Sequence, residues 1–149
     1  MNKLINHVDN TVPEMLDGYL RLNSEHYEAI PDVMGLKRKQ NDDKVSVVIA
    51  GGGGNEPWVI GFVGEGLADG AALGNVYMAP PARSVLKVAR VVPNAKGVLF
   101  VATNHAGDVL NFELVRELAE LEGITAECVY AADDISSAPL DRRDERRGT

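Results

Sequence analysis

A single cysteine, Cys128, in a chain of 149 residues excludes any intrachain disulfide. It lies in Ala126-Glu127-Cys128-Val129-Tyr130, which reads as a buried strand, where a free thiol acts as a small hydrophobe rather than a nucleophile. Histidine is almost as sparse. His7, His26 and His105 stand far apart, and no Cys/His pair has metal-ligand spacing, so no metal site is expected. No apolar run approaches the length of a membrane span, and the N-terminus carries no apolar signal region. The reading is a soluble, cytoplasmic protein without a membrane partner. Positive charge is short too. Fifteen Lys and Arg against 22 Asp and Glu leave a net charge of −7, which argues against nucleic acid and anionic lipid as partners. The one dense basic cluster, Arg142, Arg143, Arg146 and Arg147, is interleaved with Asp141, Asp144 and Glu145. A solvated tail or helix end is expected there, not a phosphate site.

What the chain does have is a globular balance, 45% apolar and 25% charged residues, enough for one compact core. Leu4, Val8, Val12, Met15, Tyr19 and Leu22 recur at helical steps, and Thr11 with Glu14 has capping-box spacing, so a helix is expected from about Asn10. Residues 23–43 are polar and mixed and read as a loop with short irregular structure. Lys44–Ala50, with Val45, Val47, Val48 and Ile49, reads as a buried strand, and Asn75–Met78 as a possible short one. Ala82–Val92 has helical spacing. Gly97–Ala102 reads as a strand, Asp108–Leu121 as a helix stopped by Gly123, and Ile124–Tyr130 as a further strand. Alternation of strands and helices implies an α/β fold with a mainly parallel sheet, so the strands at 45–49, 98–102 and 124–130 should run parallel. One α/β domain over 1–132 is expected, followed by a polar segment over 133–149.

Two junctions carry candidate chemistry. The strand ending at Ala50 runs into Gly51-Gly52-Gly53-Gly54-Asn55-Glu56-Pro57. Glycines let backbone N–H groups approach a ligand, and ligands bind beyond the carboxyl ends of parallel strands. The run lacks the Lys-Ser/Thr pair of a Walker A loop, and Glu56 breaks the dinucleotide glycine pattern. It is either a tight strand-to-helix turn or a ligand loop. The second junction is Thr103-Asn104-His105-Ala106-Gly107-Asp108. Asp108 either caps the helix or projects into the same crevice, where a carboxylate binds hydroxyls or moves protons. Asp133-Asp134 reads as a solvated loop rather than a metal site.

Taken in order, several segments resemble the dihydroxyacetone kinase family across essentially the whole chain. They are Met1–Asn6, the glycine run with Glu56-Pro57, Gly61–Gly66, Asn104 with Gly107-Asp108, Asn111-Phe112-Glu113, Asp133-Asp134, and Arg146–Thr149. The resemblance implies a three-layer α/β sandwich like the N-terminal region of that family, and binding of a small ketose such as dihydroxyacetone (glycerone). It implies Gly53, Gly54, Asn55, Thr103 and Asp108 as substrate-binding positions, with Asp108 at the family acid/base aspartate. ADP or ATP with magnesium would sit on a separate phosphoryl-donor subunit or domain, leaving no cofactor in this chain, and the subunit would be a homodimer. There are departures. The glycine turn is one residue shorter, Asn55 stands at the family's base histidine, and Thr103 replaces a substrate-contacting lysine. The family's covalent histidine lies beyond the equivalent of Thr149. Two readings follow: a substrate-binding part of a ketose kinase that cannot complete the reaction alone, or a non-catalytic ligand-binding or regulatory relative. The apolar run Trp58–Val63 is either a dimer contact or part of the core.

Overall fold

The computed structural model describes residues 4–40 and 42–148; Met1–Lys3, Asn41 and Thr149, which carry part of the resemblance at each end, lie outside the described residues. The order is α1 (Thr11–Leu22), β1 (Tyr27–Ala29), β2 (Gly35–Arg38), β3 (Ser46–Gly53), β4 (Gly70–Val76), α2 (Ala82–Val91), β5 (Val98–Thr103), α3 (Ala106–Leu121) and β6 (Ala126–Ala131), with short 3-10 turns at Val8–Asn10, Ile60–Phe62 and Leu140–Glu145. The six strands form one mixed sheet in the order β1-β2-β4-β3-β5-β6. The four strands from β4 through β3 and β5 to β6 are parallel, as expected for β3, β5 and β6, while β1 and β2 add an antiparallel edge. The α/β sandwich with a mainly parallel sheet is therefore observed.

Each face of the sheet buries a separate apolar layer. On one face α2 and α3 place Val85, Val88, Phe112 and Val115 against Val48, Phe100 and Ala102. Phe100 and Phe112 meet edge to face at 5.8 Å, which fixes α3 on β5. On the other face Val12 and Leu16 of α1 pack with Val59, Ile60 and Val63 against Leu36, Ile49 and Leu73. This places Val59, Ile60 and Val63 of the run Trp58–Val63 in the core, while Gly61 and Phe62 are exposed, Phe62 at 43% with its ring edge-on to Trp58.

Four local expectations are corrected. Residues 23–43 contain two strands rather than irregular loop. The capping box does not form: the Thr11 hydroxyl donates to Val8 O at 2.9 Å, and Glu14 accepts from Asn6 at 2.7 Å. Leu4, Val8 and Leu22 are exposed, and the helix buries Val12 and Leu16 instead. β4 extends back through the Gly- and Ala-rich stretch to Gly70. There Asp69, buried, accepts from Val47 N at 2.8 Å, Arg38 at 3.0 Å and Lys44, tying β2, β3 and β4 together. No helix among the described residues is long and apolar enough to cross a membrane.

Candidate functional site

The carboxyl ends of β3, β4 and β5 converge on a cleft of about 390 Å³. Its walls come from Gly52 and Gly53 at the end of β3, Asn55 and Trp58 after it, Tyr77 to Ala79 after β4, Thr103 at the end of β5, His105, Gly107 and Asp108 at and after the N-cap of α3, and Gly148 from the C-terminal segment. Crevices of this kind arise because parallel strands end together and their connections diverge.

The glycine run is built differently from the turn expected. Gly51 to Gly53 belong to β3 itself, with a register shift against β4 between Gly51 and Gly53. The chain turns only at Gly54, whose φ is +100° and whose N–H donates to both Glu56 carboxylate oxygens at 3.0 and 3.1 Å. Gly54 does not line the cleft, whereas Gly53 and Asn55 do. A side chain at Gly74 would strike Met78 O at 1.6 Å, so the missing Cβ lets the 77–79 loop fold down as a wall. Two non-glycine residues beside the cleft hold positive φ: Val59 at 66°, centred on a γ-turn closed by Ile60 N–H to Trp58 O at 2.9 Å, and Tyr77 at 55°. Such backbone costs on the order of 1–3 kcal/mol per residue and clusters where a site requires it.

Asp108 is the electrostatic centre. It is 5% exposed and sits in the first turn of α3, whose N-cap residue is His105, so it is not the cap. Its Oδ2 accepts from the Thr103 hydroxyl at 2.7 Å, and its Oδ1 is buried with no hydrogen-bond partner. Burial pushes its carboxyl above the usual range, against the opposing pull of the Thr103 hydrogen bond and of His105 nearby. A buried acceptor left unsatisfied costs stability until a donor arrives, and a ligand hydroxyl is such a donor. Among the described residues, no Lys or Arg lines the cleft. It therefore suits a neutral, hydroxyl-rich ligand better than a phosphate or carboxylate. No cluster of three His, Cys, Asp or Glu able to hold a metal occurs among the described residues.

Among the candidate positions, Gly53, Asn55, Thr103 and Asp108 come together and Gly54 does not. Sequence reasoning missed Tyr77, Met78 and Gly148 as walls. It also treated the basic cluster as solvated, whereas Arg146 is buried and donates through Nε to Ala138 O at 2.9 Å. Asp134 lies in a turn, bonded to Ser136.

A mixed, mainly parallel α/β sheet thus carries at its strand ends a cleft with a buried aspartate, one of whose oxygens has no partner. Residues 17–149 match the Dak1 domain, and the chain belongs to that family. It is 36% identical over 148 residues to an L-erythrulose kinase of Pectobacterium atrosepticum, covering 99% of this chain and 25% of that protein. It is 37% identical over 135 residues to the dihydroxyacetone-binding subunit DhaK of a PTS-dependent dihydroxyacetone kinase of Lactococcus lactis, covering 90% of this chain and 41% of that one. The dihydroxyacetone kinase of C. freundii, solved in complex with AMP-PNP and Mg2+, superposes with a TM-score of 0.87 at 30% identity over 99% of this chain and 28% of its own. The chain thus spans well under half the length of these relatives.

Proposed function

We propose that this chain is the substrate-binding part of a dihydroxyacetone or related ketose kinase, holding a small neutral ketose for phosphoryl transfer. The observation that carries this is the unpartnered Oδ1 of buried Asp108 in a cleft that no Lys or Arg among the described residues lines. Asp108 takes a hydroxyl of the ketose, and its raised carboxyl makes it a better proton acceptor than an ordinary carboxylate. Thr103 orients Asp108 through the 2.7 Å hydrogen bond, and Gly53 contributes to the cleft wall. Asn55 hydrogen-bonds the ketose but cannot take a proton at neutral pH. ATP or ADP with magnesium lies on another domain or polypeptide, which delivers the phosphoryl group. The assembly works in the cytoplasm as a homodimer, through a surface other than the buried part of the 58–63 run.

Trp58 is the one tryptophan of the chain and lines the cleft, so its fluorescence reports the site directly. Dihydroxyacetone and erythrulose should each change it saturably, and Asp108→Ala should weaken both by roughly tenfold or more, the scale of a lost hydrogen bond to a charged group. With ATP and magnesium but no donor polypeptide, no sugar phosphate should form. Saturable binding unaffected by Asp108→Ala, or turnover by the chain alone, would overturn this reading.

A further inference from the structure

Beside Asp108 and Thr103, the cleft is also lined by a segment that reaches it from far along the chain. Residues 133–148 fold back over the ends of β5 and β6. Asp134 N–H donates to Arg147 O at 2.8 Å, and Arg147 N–H donates to the Ser137 hydroxyl at 2.9 Å. Asn104 Nδ2 donates to Arg146 O at 2.6 Å. The last contact is His105, whose Nε2 lies 2.8 Å from Gly148 O. A carbonyl can only accept, so Nε2 must carry the proton and the neutral ring holds its lone pair on Nδ1. Gly148 fits because it has no side chain: a Cβ there would lie 2.5 Å from Ala131 O and 2.8 Å from the Thr103 Cβ. The same Thr103 orients Asp108.

We propose that His105 is a positioning residue of the ligand site: its Nε2–H holds the Gly148 carbonyl, and thereby fixes Gly148 as a wall of the cleft beside Thr103. This rests on reading the cleft as a ketose site. His105 acts through the segment it holds and need not touch the ligand. Both His105 and Gly148 line the cleft, so release of one contact opens the wall beside the carboxylate.

The test compares wild type with His105→Ala and His105→Gln, because a Gln amide reaches about as far as Nε2 and can donate to the same carbonyl. Two readouts are taken: hydrogen–deuterium exchange of the 133–148 segment without ligand, and a dihydroxyacetone titration followed by Trp58 fluorescence. His105→Ala should speed exchange of residues 146–148 and weaken binding roughly three- to tenfold, the scale of one net hydrogen bond, with exchange elsewhere unchanged. His105→Gln should restore both. Unchanged exchange in His105→Ala, or a loss of binding that Gln does not rescue, would overturn the proposal. If wild type fails to bind dihydroxyacetone, the ketose reading falls, and exchange alone then decides whether His105 holds the wall.

Discussion

Asp108 carries a stability cost that its neighbours only partly offset. Its Oδ2 is satisfied by Thr103, its Oδ1 is not, and burial raises its carboxyl above the usual range. A raised folded-state pKa means the folded chain binds the proton more readily than the unfolded chain. Stability is therefore lost as pH rises through the folded pKa and recovered as pH falls toward the unfolded one. Asp108→Asn removes the charge while leaving an acceptor for the Thr103 hydroxyl. It should stabilise the chain at pH 7 by about 0.5–2 kcal/mol, the usual yield when a site-linked penalty is removed. The gain should shrink as pH is lowered through the carboxylate range. Urea titrations of both proteins at neutral and acidic pH measure this. Equal stability at pH 7 would mean the carboxylate is solvated in the folded state.

At the scale of elements, what was legible in the sequence divides along one physical line. Strands β3, β5 and β6 are β-branched or apolar runs flanked by polar residues, and α2 and α3 repeat their apolar positions at helical steps, so pattern alone finds them. β4 reads Gly70-Ala-Ala-Leu-Gly-Asn-Val76, a composition with poor strand propensity. Its small residues are dictated by what packs above them: a Cβ at Gly70 would come within 2.7 Å of the Val88 side chain on α2. Tertiary packing overrides propensity there, and no local signal announces it. β1 and β2 are three and four residues long and exist because they pair on an edge. The site divides the same way. Thr103 and Asp108 sit at a strand-to-helix junction visible in the sequence, and Gly53 and Asn55 at the equally visible glycine-rich end of β3. Tyr77, Met78 and Gly148 arrive from loops whose path only the fold decides. Gly74 shows the coupling. Its alanine variant would drive a methyl into Met78 O, so the 77–79 wall must move. Gly74→Ala should cost about 1–3 kcal/mol, as overpacking does, and should weaken ligand binding beyond that of a control such as Gly18→Ala, where nothing lies within 4 Å. Chemical denaturation and Trp58 titration report the two effects separately. Binding kept intact with stability lost would remove the 77–79 loop from the site.

For the whole molecule, affinity and stability are linked, since a ligand that binds only the folded chain stabilises it by mass action. At a hundred times its dissociation constant the gain is about 2.7 kcal/mol. For a domain near 150 residues each kcal/mol moves the midpoint by roughly 2–4 °C, so dihydroxyacetone should raise Tm by about 5–10 °C. In Asp108→Ala the same ketose concentration should shift Tm only slightly, because the donor-seeking oxygen is gone. The charge of the cleft makes a sharper demand. Among the described residues no Lys or Arg lines it, Asp108 does, and the whole chain carries a net charge of −7. A ligand that gains a phosphate gains negative charge next to a carboxylate in a site of low dielectric, where like charges repel most strongly. Dihydroxyacetone phosphate at the same concentration should therefore shift Tm less than dihydroxyacetone, and the difference should narrow in high salt as the charges are screened. Thermal melts of wild type with each compound, at low and high salt, measure all of this. A larger shift from the phosphate ester would mean that cations reach the ligand from outside the cleft lining, and would reverse the assignment of a neutral substrate that enters and a charged product that leaves.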